Sequence, residues 1–196
     1  EPAIIGDVAV GARRELAALL KRSELECAGL DLLIPAEHFE DPSRVDRAVS
    51  AVTDAIGMAA ELRSLGAGSA EPVVCVAMGT EPVEGVAATI VSAADRDGVR
   101  VGCLSSGGSS LGAAIELGPL VRSGIDAASR AAELGDRLEL VRVDRFDRQT
   151  LEAVAGCVAA MSVASPGAIG VADLTDCADP VRALAACIDA WRGPLG

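Results

Sequence analysis

Three carboxylates, one histidine and two phenylalanines stand where an enzyme keeps its working groups. Glu116, Asp144 and Asp173 each lie at or just past the end of a β-like run, "GAAIEL" (112–117), "RLELVRV" (137–143) and "AIGVADL" (168–174). Neighbouring strands of a parallel sheet or barrel are about 4.8 Å apart, so acids at three consecutive strand ends can converge to hold a hard divalent cation or to share acid–base work. Acids are also common where strands leave a core, and an ordinary turn role for Asp173 stays open. His38 is the chain's only histidine, in the segment "PAEHFEDP" after the run "LECAGLDLLI" (25–34). Phe39 and Phe146 are the only phenylalanines, one beside His38 and one near Asp144. They read either as stacking surfaces for a small organic substrate or as plugs over a barrel mouth.

The elements that must position these residues alternate in type. Besides the four runs already quoted, "PVVCVAM" (72–78) and "VRVGCLS" (99–105) read as strands, and amphipathic helical stretches fall between most of them. That alternation is the pattern of an α/β protein with a mainly parallel sheet, either open and doubly wound or closed into a barrel. In both architectures the chemistry gathers beyond the carboxyl ends of the strands. Asp41, with Pro42 in the first helical position, predicts a helix that buries Val45, Val49, Val52, Ile56 and Ala59. Asp179-Pro180 repeats the device, followed by a stripe of Val181, Leu184, Ile188 and Trp191. A helix over 126–134 closes on Gly135 in a left-handed cap, and one over 11–22 turns Leu16, Leu19 and Leu20 inward.

The loop "SSGGSSL" (105–111) has the composition of a phosphate-cradling nest, yet no helix signal follows it. It is also shorter than a parallel crossover needs, which points to a flexible connection. Neither G-x-G-x-x-G after a strand nor G-x-x-x-x-G-K-[ST] occurs, so the two common nucleotide fingerprints are absent.

Composition narrows the function classes. The 196 residues are 51% hydrophobic and only 2% aromatic, so one domain's core of small aliphatic side chains is expected. A formal charge of −12 argues against a nucleic-acid partner, which needs a clustered positive field. Apolar runs stay short of the roughly 18–20 residues of a membrane span, and no leader pattern opens the chain, so a soluble cytoplasmic protein is expected. The chain begins at Glu1 rather than Met, which leaves room for a removed segment. The six cysteines read as reduced, buried small hydrophobes, and no C-x-x-C pair offers a thiolate zinc site.

Three long stretches carry a resemblance: "GARRELAALLKRSELECAGLDL", "RVDRAVSAVTDAIGMAAELRSLG" and "IELGPLVRSGIDAASRAAELGDRLELVRVDRFD". Together they cover most of the chain and resemble the sugar phosphate isomerase/epimerase family with its xylose isomerase-like barrels, a fold shared with the apurinic endonucleases. The resemblance implies an incomplete (β/α)8 TIM barrel over residues 1–196, in which the six strands are the third to the eighth. The gap would be covered by residues 1–10 or by a second copy, which leaves room for a homo-oligomer.

The resemblance further implies a divalent metal (Mg, Mn or Zn) on Glu116, Asp144 and Asp173, polarising a small sugar or polyol substrate for isomerisation or epimerisation. Glu116 and Asp144 would share the acid–base work with His38 as proton shuttle. Arg142 falls where the family commonly has a histidine and would grip an anionic group of the substrate, flanked by Phe39 and Phe146. The fifth strand, "VRVGCLS", lacks the family's glutamate, and Arg142 competes with a metal for the acids. The alternative is therefore a catalytically silent barrel that binds a small ligand or another protein.

Overall fold

The computed structural model describes residues 10–104, 110–175 and 177–193. The chain divides into two compact units, Glu1–Gly112 and Ala113–Gly196. The first contains α1 (Val10–Arg22), β1 (Cys27–Leu32), a 3-10 turn (Ala36–Phe39), α2 (Val45–Ser64), β2 (Gly68–Val76), α3 (Val86–Asp97) and β3 (Arg100–Cys103). The second carries β4 (Gly112–Glu116), α4 (Leu117–Arg122), α5 (Ala127–Leu134), β5 (Leu138–Val143), α6 (Arg148–Ala164), β6 (Ile169–Ala172) and α7 (Pro180–Arg192). All the strand runs expected from sequence are present, and the protein is α/β with parallel strands. Of the phosphate-nest candidate "SSGGSSL", residues 105–109 lie outside the described residues.

In the first unit β1, β2 and β3 lie side by side in chain order and run parallel. Val73, Val74, Cys75 and Val76 of β2 are all buried, as a strand covered on both faces must be. Helix α2 supplies Val45, Val52, Ile56 and Ala59 to the core, with Val49 packed at its edge. The helix begins later than Asp41-Pro42 predicts. Asp41 Oδ1 accepts from Ser43 N at 2.8 Å and its carbonyl from Val45 N at 2.9 Å, so the capping residue closes a turn before the helix starts. The C-terminus of α3 is held from outside: Arg63 donates from Nη1 to Gly98 O at 2.5 Å and from Nη2 to Asp97 O at 2.7 Å. In α1 Leu16 and Leu20 pack inward as expected, around the buried Ala17 that faces Met58 and Leu62, whereas Leu19 is 52% exposed.

In the second unit β4, β5 and β6 are likewise parallel and in chain order. Asp126, Asp147 and Asp179 cap α5, α6 and α7 by accepting from the backbone N–H three residues on. The segment "ELGPLVRSG", which follows directly on β4, contains the short helix α4, whose first turn tolerates Pro119. Gly135 has φ +55° and ψ −135°, outside the left-handed helical cap expected of it. Its positive φ still calls for glycine, and the chain continues into a 3-10 turn.

The stripe expected to seat α7 is also corrected. Val181 (79%), Leu184 and Ile188 are exposed; of that stripe only Trp191 packs inward, beside the buried Ala183 and Cys187. The cause is the indole of Trp191, which lies over Gly170 of β6 where a Cβ would fall among its ring carbons. That contact sets the rotation of the helix. The six cysteines are thiols, and Cys75, Cys103, Cys157 and Cys187 are buried. Among the described residues no helix is long and apolar enough to cross a membrane.

Candidate functional site

The strand ends of the second unit open into a cavity of about 650 Å³ lined by Glu116, Asp144, Phe146 and Asp173, together with Arg122, Arg145 and Asp147. Register explains why the acids meet there. Glu116, the last residue of β4, pairs with Arg142 of β5, and Val143 pairs with Ala172 of β6, so Asp173 comes level with Asp144. Side chains alternate along a strand, which puts Glu116, Arg142, Asp144 and Asp173 on one face at the carboxyl ends. The backbone fixes the last step, with Asp173 N donating to Val143 O at 2.9 Å.

Each acid has a partner that orients it. Arg142 is buried (7% exposed) and donates from Nη1 to Glu116 Oε1 at 3.3 Å, which keeps Glu116 turned toward β5. Asp144 Oδ1 accepts from Gly118 N at 2.6 Å, at the start of α4. Gly118 is required at that point, since a Cβ would fall on the Asp144 carboxylate. Asp173 Oδ1 accepts from Thr175 N at 3.1 Å. The Thr175 hydroxyl, then its N–H, and more weakly the Arg142 guanidinium hold the Asp173 carboxyl below its usual value. Arg122 and Arg145 contribute positive charge to the lining, and neither makes an ion pair among the described residues.

Each of the three carboxylates is already oriented by a protein donor, one of them a guanidinium that competes for the same oxygens. Among the described residues no group of three or more His, Cys, Asp or Glu side chains is placed to hold a metal ion. The cavity offers a set of acceptors for hydroxyl groups together with cationic groups for an anion.

His38 and Phe39 belong to the first unit. His38 is half-buried in the 3-10 turn, and its Nε2 lies 3.1 Å from Arg44 Nη1. Phe39 is fully buried in the apolar core, while its carbonyl accepts from Val83 N at 2.8 Å. Its side chain is thus packing, whereas Phe146 is the phenylalanine that faces a cavity. The neighbouring Glu40 accepts from Glu81 N at 3.2 Å, fastening the loop after β1 to the loop after β2.

Among the residues of the cavity or its support that went unremarked in the sequence as site residues are Gly118, Arg122, Arg145 and Cys177. Three of them depend on α4 or on the turn after β6, elements with no strong periodic signal. Arg145 alone had a usable one, lying between Asp144 and Phe146 directly after a strand. The second unit is thus a parallel α/β unit with a charged cavity at its strand ends. No family model matches the chain, and no match is found among the curated proteins.

Proposed function

We propose that the strand-end cavity of the second unit binds a small sugar or polyol phosphate and moves a proton next to its carbonyl, as an isomerase or epimerase does. The observation that supports this most is the gathering of Glu116, Asp144 and Asp173, from three consecutive strands, around one cavity that also holds Arg122 and Arg145. In this reading the arginines take the phosphate. Asp173, kept ionised by Thr175, accepts from a substrate hydroxyl. Glu116 and Asp144 serve as the acid–base pair on either side of the transferred proton. The resemblance to the sugar phosphate isomerase/epimerase family, with its incomplete (β/α)8 barrel, belongs to the same proposal. Parallel strands interleaved with helices support it.

The test is deuterium wash-in from D₂O at the carbon next to the carbonyl of aldose and ketose phosphates, followed by NMR in the presence of EDTA. Exchange is expected with the native chain and should fall by about 10²-fold or more in Asp144→Asn, the range for losing a positioned acid or base. Exchange that Asp144→Asn leaves unchanged would remove the assignment.

One observation favours a second reading, a catalytically silent binding site: Glu116 is already engaged by the buried Arg142. That reading expects sugar phosphates to raise the melting temperature with no deuterium incorporated.

A further inference from the structure

A second cavity, of about 950 Å³, runs along the seam between α6 and α7. Its wall is mainly apolar: Leu151 and Ala155 from α6, and Ala183, Ala186 and Ala190 from α7. Ala155, Ala186 and Ala190 are only partly buried, so the seam is left open by short side chains rather than filled by long ones. The charges at its edge are largely committed within the protein. Arg148 is paired with Glu152 at 2.7 Å, and Asp179 accepts from Arg182 N as the cap of α7. Most important is its position. Phe146, Cys177 and Ala178 line both this groove and the charged strand-end cavity, so the two are adjacent, with three residues in common.

We infer that the ligand of the second unit is an anionic amphiphile. Its phosphate-bearing, hydroxylated head lies among Glu116, Asp144, Asp173, Arg122 and Arg145. Its hydrocarbon tail passes Phe146 and Cys177 into the groove between α6 and α7. This rests on the proposed head-group site and extends it, because a sugar phosphate without a tail leaves the groove unused. Charge divides in the same sense as the molecule it would hold: ionic groups concentrate at the strand ends, and aliphatic surface lines the seam. A groove of this size is within the range of small-ligand sites.

The experiment is calorimetric titration with ethyl, butyl, hexyl and octyl phosphate, each below its micellar concentration. Affinity for the native chain is expected to rise about two- to four-fold per methylene, the upper figure corresponding to full burial of each CH₂. Ala186→Phe and Ala155→Phe fill the groove from half-exposed helix positions and should each flatten that slope, with circular dichroism verifying the fold. Arg122→Gln and Arg145→Gln should weaken all four ligands by the same factor and leave the slope intact.

A native slope that is flat, with ethyl phosphate still bound in an arginine-dependent way, overturns this inference and spares the head-group site. A slope that both arginine variants leave untouched, with no loss of affinity, overturns the head-group placement and with it the proposed function. A flat slope accompanied by a dimer that Ala186→Phe dissociates assigns the groove to a second copy of the chain and likewise overturns the inference.

Discussion

Asp144 is an acid whose usefulness depends on a residue with no side chain. Its carboxylate docks on Gly118 N at 2.6 Å, in space that any other residue's Cβ would occupy. Gly118→Ala should therefore either push the carboxylate out of the cavity or shift the start of α4. We expect a loss of about 1–3 kcal/mol, the range for a strained insertion or a forfeited buried hydrogen bond, read as a lower urea midpoint. An unchanged midpoint would mean that the contact contributes nothing to stability. At this scale the sequence was informative wherever function follows strand position. Glu116, Asp144, Phe146 and Asp173 are all strand-end residues and do line one cavity. Arg122 was not legible, since it depends on α4, a helix of only six residues with no strong periodic signal. The burial of Phe39 was hidden too, because it follows from packing rather than residue type, and which acid Arg142 pairs with follows from register.

Elements are positioned by caps as much as by apolar faces. Asp147 caps α6, accepting from Thr150 N at 3.0 Å and from the Thr150 hydroxyl, and it lies three residues beyond Asp144. Asp147→Ala should cost about 1 kcal/mol, with a corresponding drop in melting temperature, since it leaves the first-turn N–H of a 17-residue helix without its side-chain acceptor. Asp147→Ser should recover most of that loss. The strands were readable because runs rich in β-branched residues are bounded by turn residues, and Asp179-Pro180 signalled the start of α7 correctly. Which side of α7 faces inward was not readable. Period alone puts Val181, Leu184 and Ile188 on one stripe with Trp191, yet of the four only Trp191 packs inward, through its tertiary fit over Gly170.

Across the whole chain, stability should depend on pH in a definite direction. Asp41 and Asp97 in the first unit, and Asp126, Asp147 and Asp173 in the second, all have carboxyls lowered from a value of 3.8. The leading causes are the Ser43 hydroxyl for Asp41, the Arg96 guanidinium for Asp97, the Ser129 hydroxyl for Asp126, the Thr150 N–H for Asp147 and the Thr175 hydroxyl for Asp173. A folded-state value below the unfolded one means the unfolded chain binds protons first on acidification. This contribution is fully present above the unfolded value and disappears as pH falls through the lowered ones. The urea midpoint should accordingly stay level from pH 7 to about 5 and fall steadily below about 4. The net charge of −12 works in the opposite sense, since protonation relieves repulsion. The measurement belongs at 0.15 M salt, where charges more than about 8 Å apart are screened and short-range hydrogen bonds dominate. A midpoint that rises on acidification would show repulsion to be the larger effect.

Trp191 gives the second unit an optical label of its own. The chain has one tryptophan and no tyrosine, so fluorescence excited at the red edge of protein absorption comes from a single indole lying over Gly170. Emission therefore follows the docking of α7 on β6 alone, while circular dichroism sums the helices of both units. Comparing the two signals along one denaturation curve measures how strongly the units share their cooperativity, with no label added and no residue changed.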